Sequence, residues 1–309
     1  MTTAYITHPD CIKHDMGCGH PESPQRLAAI NDALIAQRIM DFLRHVDAEP
    51  ALREQLLLAH SEEHVAHVFA TSPEQGLAAL DPDTSMNPDS LRAALLAAGA
   101  VVQAVDLVMS GVVKNAFCAV RPPGHHAERE RAMGFCLFNN IAVGVAHALQ
   151  KYDLKRVAVV DFDVHHGNGT EDIFRREKRV LLCSTFQSPF YPYSYGESQA
   201  GHLLNLPLVQ GTGSEGFQEV VEQRLLPELD LFAPEFIFIS AGFDAHKLDP
   251  LAQMALSESD YRWVTLKLKE LAAKHARKRI VSSLEGGYDL QALAASVCAH
   301  ISSLAGLDV

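Results

Sequence analysis

The amino-acid sequence predicts an α/β fold: a single-domain, open parallel β-sheet with helices on both faces. Short apolar runs end abruptly in polar or glycine-rich segments, as strands of buried sheets do. Longer stretches with helical periodicity separate these runs, and this alternation indicates βαβ units. No linker, repeat or low-complexity tract divides the chain, so we expect one domain over residues 1–309.

The individual elements follow from these patterns in chain order. Five aliphatic runs are predicted as strands: Ala116–Val120, Arg156–Asp163, Val180–Thr185, Glu235–Gly242 and Arg279–Gly287. Five periodic stretches are predicted as helices: Ser90–Gly111, Asn139–Tyr152, Ser214–Phe232, Ser257–Lys274 and Leu290–Leu304. Ligands of open α/β sheets bind at the carboxyl ends of the strands, so polar residues that follow the runs are the candidates for function.

Charge and composition exclude several classes of function. The chain carries 26 Lys+Arg against 38 Asp+Glu, and its net charge of −12 disfavours nucleic acid while it tolerates a cationic substrate. No run of about 18 apolar residues is present, so we expect no membrane-spanning helix. The N-terminal segment lacks the basic stretch and the following apolar stretch of a secretory signal peptide, so we expect a cytoplasmic protein. The six cysteines include no CxxC pair and are predicted to be reduced.

Asp161, Asp163 and His165 follow one predicted strand at spacing i, i+2, i+4 and share one face of an extended segment. Two carboxylates on one face repel each other unless a cation or hydrogen-bond donors lie between them. Together with Asp244, which follows another strand, Asp163 and His165 would form a site with two carboxylates and one imidazole. Three protein ligands leave a position for water, as catalytic zinc requires, although Fe²⁺ or Co²⁺ also suits such ligands. Taken singly, each aspartate is equally compatible with a turn or a helix cap.

Two further motifs follow predicted strands. His125 and His126 come after Pro122-Pro123-Gly124, a stiff loop with one flexible position. Gly286-Gly287-Tyr288 ends the last predicted strand. By themselves, a histidine pair and a glycine pair are weak signals, and a plain surface loop explains either of them.

In combination, these segments resemble the histone deacetylase family of the arginase-deacetylase fold. The resemblance rests on PPGHH at 122–126, DxDxHHGNG at 161–169, AGFDAHxxDPL at 241–251 and LEGGY at 284–288. It covers most of the chain in the family's order and is closest to the class II branch and its bacterial relatives. It implies a zinc-dependent deacetylase that acts on acylated lysine in a protein or peptide.

The resemblance also implies roles for single residues. The zinc ligands would be Asp163, His165 and Asp244. His126 would be the general base and then acid, oriented by Asn168, whereas His125 would be kept cationic by Asp161. Tyr288 would polarise the scissile carbonyl.

Further roles concern the substrate and a second ion. The resemblance implies an acyl-lysine tunnel lined by Gly134, Phe135 and Tyr191, with Leu251 at its rim and Asn87 near the substrate backbone. Tyr191 departs from the phenylalanine that is commoner there. A structural potassium would lie among Asp161, Asp163, His165, Ser184 and Thr185, mostly on main-chain oxygens.

Three alternatives compete with lysine deacetylation. The same machinery would serve an acetylpolyamine amidohydrolase or a longer-chain deacylase, although Leu251 replaces the glutamate of the polyamine-selective relative. An arginase-like dimetal hydrolase needs a carboxylate where Gly167 stands. A silent acyl-lysine binding module would tend to lack a ligand, a histidine or the tyrosine, and here all are present. The sequence leaves the physiological substrate, the acyl length and the oligomeric state open.

Overall fold

A wholly parallel, eight-stranded sheet runs through the centre of the computed structural model, which describes residues 2–307. Its strand order is β2-β1-β5-β10-β9-β6-β7-β8, and β3 and β4 form a separate antiparallel pair. The strands are β1 Thr3–Thr7, β2 Leu43–Asp47, β3 Ala78–Asp81, β4 Thr84–Met86, β5 Asn115–Cys118, β6 Val157–Asp161, β7 Val180–Gln187, β8 Leu203–Leu208, β9 Phe236–Ala241 and β10 Ile280–Leu284.

Helices lie in most of the connections between these parallel strands. They are α1 Gln25–Ala36, α2 Arg53–Leu56, α3 Glu62–Thr71, α4 Ser90–Met109, α5 Asn140–Tyr152, α6 Asn168–Phe174, α7 Ser214–Val220, α8 Leu226–Phe232, α9 Glu258–His275 and α10 Leu290–Ala305. Short 3₁₀ turns occupy Pro9–Lys13 and Met40–Phe42, and a π-helical turn, Val221–Leu225, joins α7 to α8.

Every residue of the central strands β5, β6, β7, β9 and β10 is buried. A sheet buried on both faces needs a layer of helices on each side. One group of helices contains α4 and α5, which contact each other, and a second contains α1, α9 and α10. The predicted fold class is therefore confirmed, and each of the ten predicted elements has a counterpart. The single domain over residues 1–309 stays a prediction.

Helix α4 is long and apolar enough to cross a membrane by length and composition alone, with a mean hydropathy of 1.7. The sequence led us to expect no such helix, because it contains no continuous run of about 18 apolar residues. In the structure 67% of its most apolar window is buried within the protein, and the helix packs against α5 and β5. The apolar side chains of α4 therefore form part of the protein core.

Strand order also determines where the loops meet. Strands β5, β10, β9 and β6 are consecutive neighbours, and all of them point in the same direction. The loops that follow them therefore leave the sheet at one edge, although they lie as much as 160 residues apart in sequence. Asp161, the last residue of β6, is in register with Ser184 on one side and Ser240 on the other.

Candidate active site and metal centre

Asp163, His165 and Asp244 form a buried cluster beyond the ends of β6 and β9. Their potential ligand atoms all lie within 4.8 Å of one another. The Nδ1 atom of His165 lies 3.0 Å from Oδ1 of Asp163 and 3.2 Å from Oδ2 of Asp244. Among residues 2–307 this is the group of His, Cys, Asp or Glu side chains suited to hold a metal ion.

Backbone amides orient the two carboxylates of this cluster. The amide of Val164 donates to Oδ1 of Asp244 at 2.9 Å, and the amide of Gly286 donates to Oδ2 of Asp163 at 2.8 Å. Gly286 approaches so closely that a Cβ atom there would collide with Oδ2 of Asp244. Oδ2 of Asp244 itself is buried and makes no hydrogen bond with the described residues. A cation suits such a donor set, because buried carboxylate oxygens need a compensating charge.

The loop after β5 presents His125 and His126 side by side, with ring centroids 4.0 Å apart. Nδ1 of His125 lies 2.9 Å from Oδ2 of Asp161, and Nδ1 of His126 lies 2.7 Å from Oδ1 of Asn168. The two rings therefore have different partners, one a carboxylate and the other a neutral amide. These are the two pairings that the family resemblance implied.

The pKa values of the two histidines are shifted in opposite directions. Burial alone would lower the pKa of His125, but the negative charges of Asp163 and Asp161 outweigh it and raise the pKa well above its ordinary value. Burial, reinforced by the positive charges of His125 and His165, lowers the pKa of His126 well below its ordinary value. The surroundings therefore favour the cationic form of His125 and the neutral form of His126.

Glu285, which the sequence analysis did not single out, anchors the histidine loop from behind. Its Oε2 accepts hydrogen bonds from the amides of Gly124 at 2.7 Å and His125 at 3.1 Å. Burial raises the pKa of this carboxyl group to about 7. Because the partners are backbone amides 160 residues away, no local pattern in the sequence indicates the contact.

Tyr288 is held by its own backbone and by a buried arginine. Its amide donates to Oδ2 of Asp249 at 2.7 Å. The guanidinium of Arg26 donates to the carbonyl of Gly287 at 2.7 Å and lies 5.1 Å from the centroid of the Tyr288 ring. Contacts with Asp249 and Arg26 therefore fix both the backbone and the ring of Tyr288.

A narrow cavity of about 120 Å³ leads to the cluster. Its wall contains all four residues predicted to line or rim a tunnel, which are Gly134, Phe135, Tyr191 and Leu251. The other residues of the wall are His126, His165, Tyr288 and Asp83. The Tyr191 ring is perpendicular to that of His126, at a centroid distance of 5.2 Å.

Gly134 and Phe135 both adopt positive φ angles, of 58° and 68°. A Cβ atom at Gly134 would collide with the His126 ring, so glycine is required there. Two contacts from the β3–β4 turn hold this strained segment: the Gly134 amide donates to Oδ1 of Asp83 at 2.9 Å, and the Phe135 amide donates to Oγ1 of Thr84 at 3.0 Å.

The structure does not bring Asn87 to this cavity. Its side chain donates to the carbonyl of Lys13 at 2.8 Å and accepts from Oγ of Ser90 at 2.7 Å, so it joins the start of α4 to an early loop. Asp83, four residues earlier, is the polar residue of this region that lines the cavity. The signal available in the sequence was the Asp-Thr pair of a turn, which does not distinguish a cavity residue from an ordinary turn residue.

The residues predicted to surround potassium also lie together. Asp161 and Ser184 are paired across β6 and β7, and Ser184 and Thr185 are both buried. The Oγ atom of Ser184 makes no hydrogen bond with the described residues. An unpartnered buried oxygen beside Asp161 is compatible with a bound monovalent cation.

Comparisons with known protein families, proteins and solved structures identify several relatives of this chain. The histone deacetylase domain matches residues 20–304. A probable deacetylase of Archaeoglobus fulgidus is 38% identical over 100% of this chain and 88% of its own length. The polyamine deacetylase HDAC10 of Mus musculus is 38% identical over 99% of this chain but 48% of its own length. Among solved structures, the HDA15 HD domain superposes with a TM-score of 0.93 and 36% identity, covering 99% of this chain and 89% of that one.

Proposed function

The chain belongs to the histone deacetylase family, and from that premise we propose that it is a zinc-dependent hydrolase that removes acetyl or other acyl groups from the ε-amine of lysine in proteins or peptides. One observation carries this proposal. A cluster of three convergent ligand atoms, a histidine pair with opposite pKa shifts and a tyrosine all meet around one narrow cavity.

Asp163, His165 and Asp244 would hold the metal, since two carboxylates and an imidazole are ligands that zinc accepts in hydrolytic sites. When bound, zinc supplies Lewis acidity toward the carbonyl oxygen and lowers the pKa of water. The same ligands accept Fe²⁺ or Co²⁺, so metal analysis of the purified protein decides the native ion. A potassium ion held by Asp161, Asp163, His165, Ser184 and Thr185 would be structural.

The chain's own groups supply the proton transfers. His126, kept neutral by burial and by the cationic His125 beside it, takes the proton from water and returns it to the leaving amine. Tyr288 donates a hydrogen bond to the carbonyl oxygen as negative charge develops there. His125, with Asp161 behind it, stays cationic and adds positive charge beside the reacting atoms.

The cavity wall sorts substrates by shape and polarity. Phe135 and Tyr191 offer aromatic surfaces to a thin methylene chain, and Leu251 adds an apolar surface. A straight acylated amine chain fits this description, whereas a branched side chain does not.

We place the enzyme in the cytoplasm, as one catalytic domain over residues 1–309 that binds neither nucleic acid nor membrane.

Acetylpolyamine hydrolysis is the second candidate, and Asp83 favours it. This carboxylate lines the cavity, where it would attract the secondary ammonium of an acetylated polyamine. A polyamine deacetylase is also among the relatives. Leu251, being apolar, gives no such attraction.

A turnover panel tests both candidates. The zinc-loaded protein is assayed on acetyl-, propionyl-, crotonyl- and longer acyl-lysine peptides and on acetylspermidine. Lysine deacylation predicts the higher kcat/KM on a peptide, and the polyamine function predicts it on acetylspermidine, with a selective loss in Asp83→Asn. Tyr288→Phe is expected to lower kcat by roughly 10²–10³ with zinc content unchanged. No turnover of any acylated amine by the zinc-bound protein would contradict the enzymatic proposal and favour a binding module.

A further inference from the structure

Asn168 lies between the His126 ring and a carboxylate that takes no part in the chemistry proposed above, that of Glu128. Its Oδ1 is 2.7 Å from Nδ1 of His126, and its Nδ2 donates to Oε1 of Glu128 at 2.7 Å. Asn168 is buried, whereas the side chain of Glu128 is 29% exposed. A chain of hydrogen bonds therefore runs from the general base to a partly exposed carboxylate.

This chain determines the orientation of the Asn168 amide. A carboxylate oxygen only accepts, so the atom of Asn168 that faces Glu128 is the NH₂ group, and Oδ1 must face His126. Oδ1 also only accepts, so Nδ1 of His126 carries a hydrogen. The nitrogen of His126 that is free to take a proton is consequently Nε2.

The opposite orientation would disable the base. If the NH₂ group of Asn168 faced Nδ1, that nitrogen would have to accept, and the hydrogen of neutral His126 would move to Nε2. Apart from Glu128, Nδ2 of Asn168 has only weak acceptors among the described residues: the sulfur of Met133 at 3.3 Å and the carbonyl of His126 at 3.5 Å. Glu128 is therefore the group that makes the observed orientation of the Asn168 amide lower in energy than the opposite one.

Glu128 is itself fixed through its backbone. Its amide donates to the carbonyl of Arg131 at 2.9 Å, and its carbonyl lies 3.0 Å from Nδ1 of His60. Nε2 of His60 accepts from the amide of Asn139, so Nδ1 of His60 is the donor to Glu128. The carboxylate is therefore presented to Asn168 by a loop that is held at two points.

We propose that Glu128 is a positioning residue for the general base: by fixing the amide of Asn168 it selects the form of His126 with hydrogen on Nδ1 and a free Nε2. The inference rests on the proposed function, because it assumes that His126 is the base. Glu128 acts through Asn168 and touches neither substrate nor reacting atoms.

The test compares four zinc-loaded proteins: the wild type, Glu128→Ala, Glu128→Gln and Glu130→Ala. Glu130 is an exposed neighbour, so its removal controls for loss of one negative charge from the same loop. Nitrogen-15 NMR of histidine-labelled protein reports which ring nitrogen of His126 carries hydrogen, and the signal is assigned by its loss in His126→Ala. The kcat and KM values on an acylated substrate are measured in parallel.

We expect Glu128→Ala to shift His126 toward the form with hydrogen on Nε2 and to lower kcat roughly tenfold with little change in KM. Glu128→Gln keeps an acceptor oxygen and should stay within about threefold of the wild type. Glu130→Ala should match the wild type in both measurements.

An unchanged His126 signal in Glu128→Ala would overturn the inference, whether or not activity falls. So would a Gln variant as impaired as the Ala variant. If the wild type cleaves no acylated amine, the proposed function fails, yet the NMR comparison still decides whether Glu128 selects the ring form.

Discussion

At the scale of single residues, Glu22 shows how a buried negative charge is compensated by buried arginines. Its carboxylate is fully buried, accepts a hydrogen bond from Arg26 at 3.0 Å and forms a bidentate pair with Arg121. Arg121 also donates to the carbonyls of Cys11 and His14, so the network joins the early loop to the loop that carries the histidine pair. Burial alone would raise the pKa of Glu22, but the charges of Arg121 and Arg26 lower it to about 2.

We predict that Glu22→Gln lowers the free energy of unfolding at pH 7 by roughly 3–5 kcal/mol, because it leaves two buried guanidinium groups without a counter-charge. The folded-state pKa lies below the ordinary value of 4.5, so this stabilisation is present above that pH and is lost as pH falls toward 2. Denaturant unfolding at several pH values checks this, and the gap between the two proteins should narrow below about pH 4.5.

The matched control for that measurement is Glu62→Gln, which breaks an exposed pair with Arg53. Solvent screens an exposed pair, so Glu62→Gln should change the free energy of unfolding far less than Glu22→Gln does. Equal effects of the two substitutions would contradict a special role for the buried network.

Tyr191 gives a second prediction at this scale. Its Oη atom is buried, and burial together with the nearby Asp83 carboxylate raises the pKa of the phenol. Tyr191→Phe removes a buried hydroxyl that lies beside this carboxylate, so we expect the free energy of unfolding to change by no more than about 1 kcal/mol. Thermal unfolding measures the change, and a clear loss of stability would show that the hydroxyl has a partner in solution.

At the scale of elements, apolar runs predicted the five central strands but neither the inner strand β1 nor the edge strands β2 and β8. Strands β2 and β8 lie at the two ends of the sheet order. Four of the five residues of β2 are not buried, and β8 contains an exposed proline, Pro207. An edge strand satisfies only one row of backbone groups inside the sheet, so it tolerates both features, and it lacks the apolar run that identifies a central strand.

The same reasoning explains what the sequence revealed about the site. Asp163, His165 and Asp244 each follow a strand that could be predicted, so their meeting at one sheet edge was predictable too. Asp83, Glu285 and Glu128 were not singled out, because their role depends on contacts with distant backbone or side-chain groups. Asn87 was chosen by resemblance, and its neighbour Asp83 lines the cavity instead.

The turn after β10 supplies a prediction about metal binding. A Cβ atom at Gly286 would lie 2.6 Å from Oδ2 of Asp163 and would also collide with Oδ2 of Asp244. We expect Gly286→Ala to weaken zinc binding by roughly 10–100-fold, because it displaces two ligands. Competition with a chelating dye measures the affinity.

Gly213→Ala is the control, since a Cβ atom there meets the carbonyl of Ala255 at an ordinary 3.6 Å. If Gly286→Ala binds zinc as tightly as this control, the close approach of the turn does not constrain the ligands.

At the scale of the whole molecule, metal binding and folding should be linked. The ligand cluster joins loops from β6 and β9, and it exists only in the folded chain. Zinc at 100 times its dissociation constant should therefore stabilise the protein by about 2.7 kcal/mol, and a chelator should reverse the effect. Thermal unfolding across a zinc titration measures this. Asp244→Ala, which lacks a ligand, should respond much less, and an equal response would contradict the assigned site.

The position of β10 has a consequence for how the protein is made. It is the last strand in the chain, yet it lies between β5 and β9, and it alone connects the β2-β1-β5 group to the β9-β6-β7-β8 group. During synthesis the facing edge strands of these two groups, β5 and β9, therefore stay unpaired until residues 280–284 are available. Tyr288 follows that strand directly. A chain in which β10 has not yet formed therefore has neither a continuous sheet nor a complete active site.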